Sequence, residues 1–155
     1  MTNRFKGLRS AKLPDMMGRS QRSDCMSKIR GKDTKVEVVL RKAVWRNGLR
    51  YRLHAKLPGT PDLVFPRSKV ALFIDGCFWH GCPTHGVRPR TNRAFWADKL
   101  KKNVERDKQT NRELREIGWK VIRCWEHEVE KRLDRLVVRI GQAVKNRYRQ
   151  TRRDI

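Results

Sequence analysis

One apolar run and the loop that follows it constrain this chain more than any other feature. The segment VALFI at residues 70–74 is apolar on both faces, which predicts a buried central strand that continues to Asp75. The next eleven residues, 76–86, read GCFWHGCPTHG and contain two cysteines and two histidines. Thiolates and imidazoles at such short spacing suit a tetrahedral zinc ion. The sequence therefore predicts a strand that leads directly into a metal-binding loop.

The loop supplies three of the four ligands that a closed zinc site needs, which are Cys77, Cys82 and His85. The candidates for the fourth ligand are Cys124, His127 and His80. A site closed by His127 is structural, and it leaves His80 between two ligands as a general base or acid near neutral pH. The alternative for His80 is a loop histidine whose hydrogen bonds are satisfied.

The charge of the chain predicts a polyanionic partner. Lys and Arg number 39 against 16 Asp and Glu, which gives a net charge of +23. Nucleic acid is the commonest polyanion in a cell, and charge alone gives affinity without sequence preference. A ribosomal or nucleoid packing protein fits this charge as well as an enzyme does. No apolar run is long enough to span a membrane and no signal peptide opens the sequence, so we expect one cytoplasmic domain. In that compartment, four cysteines favour metal or free thiols over disulfides.

Two carboxylates stand at the ends of neighbouring predicted strands. Asp62 follows Pro61 at the start of one strand, and Asp75 closes the next strand immediately before Gly76. Such a pair suits Mg²⁺, a hard ion that prefers oxygen ligands and keeps waters for a substrate phosphate. The alternative is that both are ordinary turn residues, because Asp is common in Pro- and Gly-containing turns.

Two further acidic residues add to this pair. Asp107 falls on the same row as Val104 and Leu114 at helical spacing, so we expect it to face the packed side of its helix. Asn103 lies one turn before it. A carboxylate on the packed side of a helix is either paired or functional. Glu37 lies near the first turn of an earlier predicted helix.

The pattern along the chain predicts an α/β domain of layered helices and strands. We expect a flexible basic arm at 1–18, a folded domain at 19–148 and a basic tail at 149–155. Helices are predicted at 20–30, from a cap at Asp33 or Thr34 to Gly48, from a cap at Thr91 or Asn92 to Ile117, and through Val129 to Val144. Strands are predicted at 50–54, 62–66, 69–75 and 119–125.

Aromatic residues lie beside basic residues in and after the metal-binding loop. Phe78 and Trp79 stand between predicted metal ligands, and Phe95 and Trp96 open the long helix. The basic residues around them are Arg88, Arg90, Arg93, Lys99, Lys101 and Lys102. Large apolar side chains next to phosphate-binding cations can wedge between bases. Core packing is the alternative, and it explains Phe78 and Trp79 less well because their loop is rich in glycine.

The motifs together resemble those of the very-short-patch repair endonucleases. They span residues 20–130 and are, in chain order, Arg22-Ser23 with Met26, Glu37, Pro58-Gly59 with Pro61-Asp62, DGCFWH from Asp75, Phe95-Trp96 with Lys99, NVERD from Asn103, Gly118-Trp119, and Trp125-Glu126. The resemblance implies a restriction-endonuclease-like fold, in which helices flank a mixed sheet. It also implies an enzyme that nicks one strand of double-stranded DNA beside the thymine of a T:G mismatch, which arises from deamination of 5-methylcytosine.

The resemblance implies catalytic roles for four residues of this nuclease domain. Asp62 looks like the central Mg²⁺ ligand, and His80 resembles the general base for the attacking water. Glu37 and Asp107 look like supporting acidic residues, with Asn103 nearby.

The resemblance also implies the DNA-contacting and zinc-binding residues. The aromatic wedge that opens the duplex corresponds to Phe78, Trp79 and Trp96. Met26 stands where the N-terminal segment would enter from the other groove. The zinc positions align with Cys77, Cys82, His85 and His127, which leaves Cys124 outside the site.

Asp75 departs from this resemblance. Family members can carry a second histidine just before Gly-Cys, and the lysine that nucleases usually have two residues later is replaced here by Cys77. Asp75 is therefore either a direct metal ligand or a substitute for a phosphate-contacting histidine. The spacing of the zinc residues also differs from family versions with Cys in the last position. The arm 1–18 and the tail 149–155 have no counterpart.

We expect the nickase to be a monomer, because a mismatch offers no two-fold symmetry for a dimer to match. Two alternatives remain at the level of the sequence. One is a zinc-stabilised nuclease of the same fold that cuts other DNA sites. The other is a DNA-binding module that bends DNA with its aromatic residues and has no catalytic activity.

Overall fold

The computed structural model describes residues 33–86, 90 and 92–153. The elements in chain order are α1 (Lys35–Arg46), β1 (Leu63–Phe65), a 3₁₀ turn (Pro66–Ser68), β2 (Val70–Asp75), α2 (Arg93–Glu116), β3 (Lys120–Trp125) and α3 (Glu126–Arg153). The predicted arm at 1–18, the predicted helix at 20–30 and the predicted DNA contact Met26 lie outside the described residues. The described part confirms an α/β architecture in which helices flank a mixed sheet.

Three strands form the sheet of the described part, in the order β1-β2-β3. β1 pairs antiparallel with β2 at Leu63↔Leu72, and β2 pairs parallel with β3 at Leu72↔Ile122. Because parallel strands need a long crossover, α2 connects β2 to β3. The carboxyl ends of β2 and β3 therefore lie side by side, and the loop that starts at Gly76 leaves from that edge.

The prediction of a strand at 50–54 is wrong. Only Arg52 pairs with the sheet, through an isolated antiparallel bridge to Val64 with N···O distances of 2.8 and 3.0 Å. His54 follows with a positive φ of 54°, a conformation that turns the chain out of an extended path. The alternating pattern of this segment therefore yields one pair of hydrogen bonds instead of a fourth strand.

One face of the sheet packs against α1 and α3. Its buried residues are Leu40 and Val44 from α1, Leu63, Phe65, Val70, Leu72 and Cys124 from the strands, and Val129, Leu136, Val137, Ile140 and Val144 from α3. The apolar positions of α3 repeat at helical spacing, as predicted, and this spacing places them on one stripe. This apolar stripe is the side of α3 that covers this face of the sheet, and covering it takes a long helix.

The opposite face of the sheet packs against α2. Alternate residues of β2, Ala71 and Phe73, are buried here with Leu114 of α2. Since side chains alternate along a strand, Asp75 and Arg123 also belong to this face, at the edge where the parallel strands end. The α2 face therefore carries the polar residues that the next loop and α2 bring together.

The predicted helix ends are mostly confirmed. Thr34 caps α1, since its hydroxyl accepts a hydrogen bond from the Glu37 N–H at 3.3 Å. Gly48 and Gly118 follow α1 and α2 with φ of 78° and 81°, a conformation that favours glycine. Asn92 occupies the cap position of α2, but its side chain makes no capping hydrogen bond because its own backbone is left-handed.

The last helix is longer than its apolar stripe predicts. α3 continues to Arg153 and so includes residues 149–153 of the predicted tail. Arg132 interrupts it with non-helical angles of φ −142° and ψ 36°. Among the helices of the described ranges, none combines the length and the apolar character that crossing a bilayer requires.

Candidate active site and metal centre

Four metal-binding side chains meet where the loop at 76–86 approaches the start of α3. We call this group the Cys/His cluster, and its members are Cys77, Cys82, His85 and His127. The His127 Nδ1 atom lies 3.1 Å from the Cys77 sulfur and 3.7 Å from the Cys82 sulfur. The His85 Nδ1 atom lies 3.9 Å from the Cys82 sulfur. These are the four ligands that the sequence and the family resemblance predict for a metal site.

The dimensions of the Cys/His cluster fit a tetrahedral ion. With metal–sulfur bonds of about 2.3 Å and metal–nitrogen bonds of about 2.1 Å, a tetrahedral centre separates its ligand atoms by roughly 3.3–3.8 Å. The three sulfur–nitrogen separations of 3.1, 3.7 and 3.9 Å lie within about 0.2 Å of that range. Cys124 points elsewhere, with its sulfur 3.5 Å from the Phe73 carbonyl, and burial raises the pKa of its thiol to about 12. Cys124 is therefore not a fourth ligand in this geometry.

The backbone around the Cys/His cluster is fixed by close contacts. A Cβ atom at Gly86 would lie 2.5 Å from the Cys82 carbonyl oxygen, so only glycine fits there. The Cys77 N–H donates to the Glu126 carboxylate at 2.9 Å, which ties the loop to the first residue of α3. The two cysteines are buried. The loop is thus held at both ends around its metal-binding atoms.

A second polar group lies at the same edge of the sheet, on the α2 side. We call it the Asp/His cluster, and it consists of Asp75, His80 and Asp107. The Asp107 Oδ2 atom lies 2.6 Å from His80 Nδ1, and Asp75 Oδ1 lies 3.8 Å from the same nitrogen. The periodicity of α2 predicted that Asp107 would face inward, and this contact confirms it. Burial raises the pKa of Asp75 above its ordinary value, although the nearby Arg123 guanidinium opposes that rise.

Arg123 is the residue of this site that the sequence analysis missed. Its guanidinium bonds Asp75 at 2.6 Å, Asp107 at 3.2 Å and Asn111 at 3.1 Å. It also lies 4.5 Å above the centre of the Phe73 ring. The signal in the sequence was a charged residue at an inward position of the apolar strand KVIRCW. A buried charge on the packed face of a strand needs partners, and these carboxylates provide them.

Asp62 lies on a neighbouring part of the same edge. The turn before it packs closely on α2, since a Cβ atom at Gly59 would lie 2.3 Å from the Thr110 methyl carbon. The Asp62 carboxylate accepts a hydrogen bond from the Ile74 N–H at 2.7 Å. Burial raises its pKa to about 6, the Ile74 hydrogen bond opposes that rise, and the negative charge of Glu37 adds to it. The positive charge of Arg41 also opposes the rise, so burial is the main cause of the raised pKa.

Glu37 joins Asp62 from the first turn of α1. Its carboxylate is held by Arg41 at 2.8 Å and accepts the Thr34 hydroxyl at 3.1 Å. Among the described residues, two groups of three or more metal-binding side chains have ligand atoms within 4.8 Å of one another, and neither contains Asp62 or Glu37. The structure thus places the predicted acidic residues along one edge but gathers only Asp75, His80 and Asp107 into a tight group.

The aromatic residues of the loop and α2 form one exposed or half-exposed cluster. Phe78 packs edge-on against Trp79 and Trp96, with ring centres 4.8 and 5.4 Å apart. The Lys99 ammonium lies 5.5 and 5.6 Å from the Trp79 and Trp96 ring centres. Asn103 donates to the Trp79 carbonyl at 3.0 Å and so fixes the loop to α2. The predicted wedge residues are therefore together, next to a cation and outside the two buried cores.

Comparison with known proteins identifies the family. Residues 14–85 match the family of the DNA mismatch endonuclease Vsr. The type II nicking enzyme V.NmeAIP of Neisseria meningitidis serogroup A / serotype 4A is 43% identical over 140 residues, covering 85% of this chain and 100% of the relative. The type II nicking enzyme V.NaeI of Lentzea aerocolonigenes is 49% identical over 113 residues, covering 69% and 68%.

The DNA mismatch endonuclease Vsr of Escherichia coli K12 is 38% identical over 117 residues, covering 74% of each chain. The matches extend over the loop at 76–86, and they agree with the basic charge and the carboxylate-lined edge described above. They favour an enzyme over the DNA-binding module that the sequence left open. The chain therefore belongs to the family of Vsr endonucleases and Vsr-like nicking enzymes, and it is an endodeoxyribonuclease.

Proposed function

We propose that this protein is a Mg²⁺-dependent nickase that cuts one strand of double-stranded DNA beside the thymine of a T:G mismatch. The observation that carries the proposal is the 2.6 Å pair of His80 and Asp107, held at the same sheet edge as the half-buried Asp62. The name of the E. coli relative supports the mismatch as the substrate. The same proposal includes a restriction-endonuclease-like topology, a nuclease domain at 19–148 between a basic arm and a basic tail, and a monomeric state.

His80 is suited to act as the general base. A histidine that donates Nδ1–H to a carboxylate keeps Nε2 as its basic nitrogen and holds its ring in one orientation. Asp107 provides that carboxylate at 2.6 Å. His80 is about a quarter exposed, so water reaches it while its partner stays more buried. In the proposed reaction His80 takes the proton of the water that attacks the phosphodiester.

Asp62 is suited to hold the catalytic cation. Its pKa of about 6 reflects loss of solvent around the carboxyl group, with the negative charges of Glu37 and Asp75 only partly offset by Arg41, and a divalent cation would reverse that electrostatic cost. Carboxylate oxygen is the ligand that Mg²⁺ prefers. When bound there, Mg²⁺ would supply Lewis-acid stabilisation of the charge that develops on the phosphate and the leaving oxygen. Glu37, fixed by Arg41 and Thr34, supports Asp62 from α1.

The Cys/His cluster is suited to a structural zinc ion. Two thiolates and two imidazoles fill a tetrahedral shell and leave no position for substrate. The cluster binds the loop to α3 on one side of His80, and the Asn103 bond to Trp79 anchors the loop on the other. The ion would therefore fix the position of His80 without entering the reaction.

The aromatic cluster and the positive charge of the chain are suited to binding double-stranded DNA. Phe78, Trp79 and Trp96 form the proposed wedge that unstacks bases beside the mismatch, and Lys99 lies where it can pair with a phosphate. A net charge of +23 adds affinity that does not depend on sequence. Met26 is proposed as a further contact from the N-terminal segment.

A second candidate function is a nick at a DNA site without a mismatch. The names of the relatives V.NaeI and V.NmeAIP, both type II nicking enzymes, favour it. The site residues and the chemistry are the same in both candidates. Only recognition of the duplex differs.

One experiment separates the candidates. A duplex labelled on each strand, with T:G or T:A at one position, is incubated with the protein and Mg²⁺. We expect a single nick in the T strand of the T:G duplex, whereas cutting of both duplexes would favour the second candidate. Asp62→Asn should abolish nicking and leave binding intact. The matched control is Asp98→Asn, which changes an exposed carboxylate of α2 that pairs with Lys102, and it should nick normally.

A further inference from the structure

Arg123 lies between the two carboxylates of the Asp/His cluster and uses all three nitrogens of its guanidinium. One terminal nitrogen bonds Asp75 Oδ1 at 2.6 Å, and the other lies 3.2 Å from Asp107 Oδ1. The Nε atom donates to Asn111 at 3.1 Å. Its side chain is 19% exposed. A planar cation with this many bonds to fixed groups has one well-defined position.

The Asp/His cluster has the composition of a divalent-cation site. Two carboxylates and an imidazole offer ligand atoms within 4.8 Å of one another. The guanidinium supplies the positive charge that a cation would bring to that site, because it lies within bonding distance of both carboxylates. Arginine stays protonated at every pH at which proteins fold, so this charge cannot be removed by titration.

The two oxygens of the Asp107 carboxylate contact different partners. Its Oδ1 atom faces Arg123 at 3.2 Å, and its Oδ2 atom faces His80 Nδ1 at 2.6 Å. A metal ion at either oxygen would compete with one of these partners. The contact with Arg123 therefore leaves Oδ2 for the histidine and fixes the plane of the carboxylate.

We propose that Arg123 takes the place of a second divalent cation in this enzyme. It keeps Asp75 and Asp107 out of metal coordination, orients His80 through Asp107, and limits the catalytic metal to one ion at Asp62. Arg123 is in this sense a positioning residue. The inference rests on the proposed function, because it assumes the metal site at Asp62, and it makes Asp75 a partner of Arg123 instead of a direct metal ligand.

The test is a titration of the zinc-loaded full-length protein with Mn²⁺, followed by calorimetry and electron paramagnetic resonance. The wild-type protein should bind one ion tightly, and Asp62→Asn should lose it. Arg123→Met removes the charge but keeps an unbranched side chain, and it should gain a second tight site. Arg123→Lys should restore the single site, because the charge returns. The control Arg112→Met removes an exposed arginine of α2 whose guanidinium donates to Gln109, and it should leave one site.

Two results would overturn the inference while leaving the metal site at Asp62 intact. One is a second tight Mn²⁺ in the wild-type protein that Asp62→Asn does not remove, and the other is unchanged stoichiometry in a folded Arg123→Met. Retention of the only tight ion in Asp62→Asn would instead contradict the proposed function.

If Arg123→Met does not fold, anomalous diffraction from wild-type crystals grown with Mn²⁺ shows which carboxylates bind the ion. A peak at Asp62 alone supports the inference. A peak within about 2.2 Å of a carboxylate oxygen of Asp75 or Asp107 overturns it.

Discussion

The Cys/His cluster and the Asp/His cluster adjoin the same loop at 76–86 but balance their charges differently. In the first, sulfur and nitrogen atoms lie 3.1–3.9 Å apart, a spacing that suits a bound zinc ion. In the second, the guanidinium of Arg123 lies within 3.2 Å of both carboxylates. Deprotonated thiolates packed together repel one another unless a metal ion neutralises them. With the proposed zinc ion bound, the first cluster would depend on an added ion for its stability, whereas the second holds its shape with a cation that the chain itself provides.

Removing a ligand from the Cys/His cluster should have the largest effect. Cys82→Ser should lose the bound zinc and unfold the loop, because a structural zinc contributes on the order of 10 kcal/mol, comparable to the whole stability of a domain. Zinc content by mass spectrometry and thermal unfolding by circular dichroism measure this directly. Cys124→Ala is the matched control, since it changes a buried cysteine outside the cluster and should keep its zinc. Full zinc content in Cys82→Ser would show that the cluster is not the metal site.

Changing the Asp/His cluster should affect the reaction and spare the fold. Asp107→Asn keeps the shape of the side chain but removes the negative charge that faces His80. The nicking rate should therefore fall about 100-fold. His80→Ala should lose about 1000-fold. Single-turnover nicking rates test both values, with zinc content and DNA affinity measured alongside. Loss of zinc in either variant would mean that the two clusters are not independent.

The sequence predicted the Cys/His cluster better than the Asp/His cluster, and the reason is local. Three of the four metal-binding residues lie within nine residues of one loop, so their spacing already brings them together. His127 follows directly after β3, whose parallel register beside β2 brings it to the same edge. Strands β2 and β3 and the ends of α1 were predictable for the same kind of reason, because apolar runs and capping residues act over a few positions.

The parts that the sequence did not predict depend on contacts between distant segments. Arg123 stands 48 positions from Asp75, and no pattern near it indicates which carboxylate it will meet. The single bridge of Arg52 to Val64 shows the same limit, since a strand was predicted at 50–54 but the chain turns away at His54. Pairing and charge neutralisation across the sheet are settled by tertiary packing, which overrides local preference.

Asp62 gives the smallest and sharpest test, because Arg123 does not bond it and its pKa is raised. Its pKa is raised to about 6 in the folded protein from 3.8. The folded state therefore holds the proton more tightly than the unfolded state, so this group's contribution to stability is fully present below pH 3.8 and is lost as the pH rises to about 6. Asp62→Asn keeps an oxygen to accept the Ile74 N–H and removes the charge.

In buffer without added divalent metal, the Asp62→Asn variant should be more stable than the wild-type protein at pH 7 by about 1–3 kcal/mol, and equally stable near pH 4. Urea unfolding at both pH values measures the difference. Saturating Mg²⁺ at pH 7 should then stabilise the wild-type protein and not the variant, since the ion binds only where the carboxylate is present. A variant that is less stable than the wild type at pH 7 without metal would show that the positive charge of Arg41 outweighs the cost of burying this carboxylate.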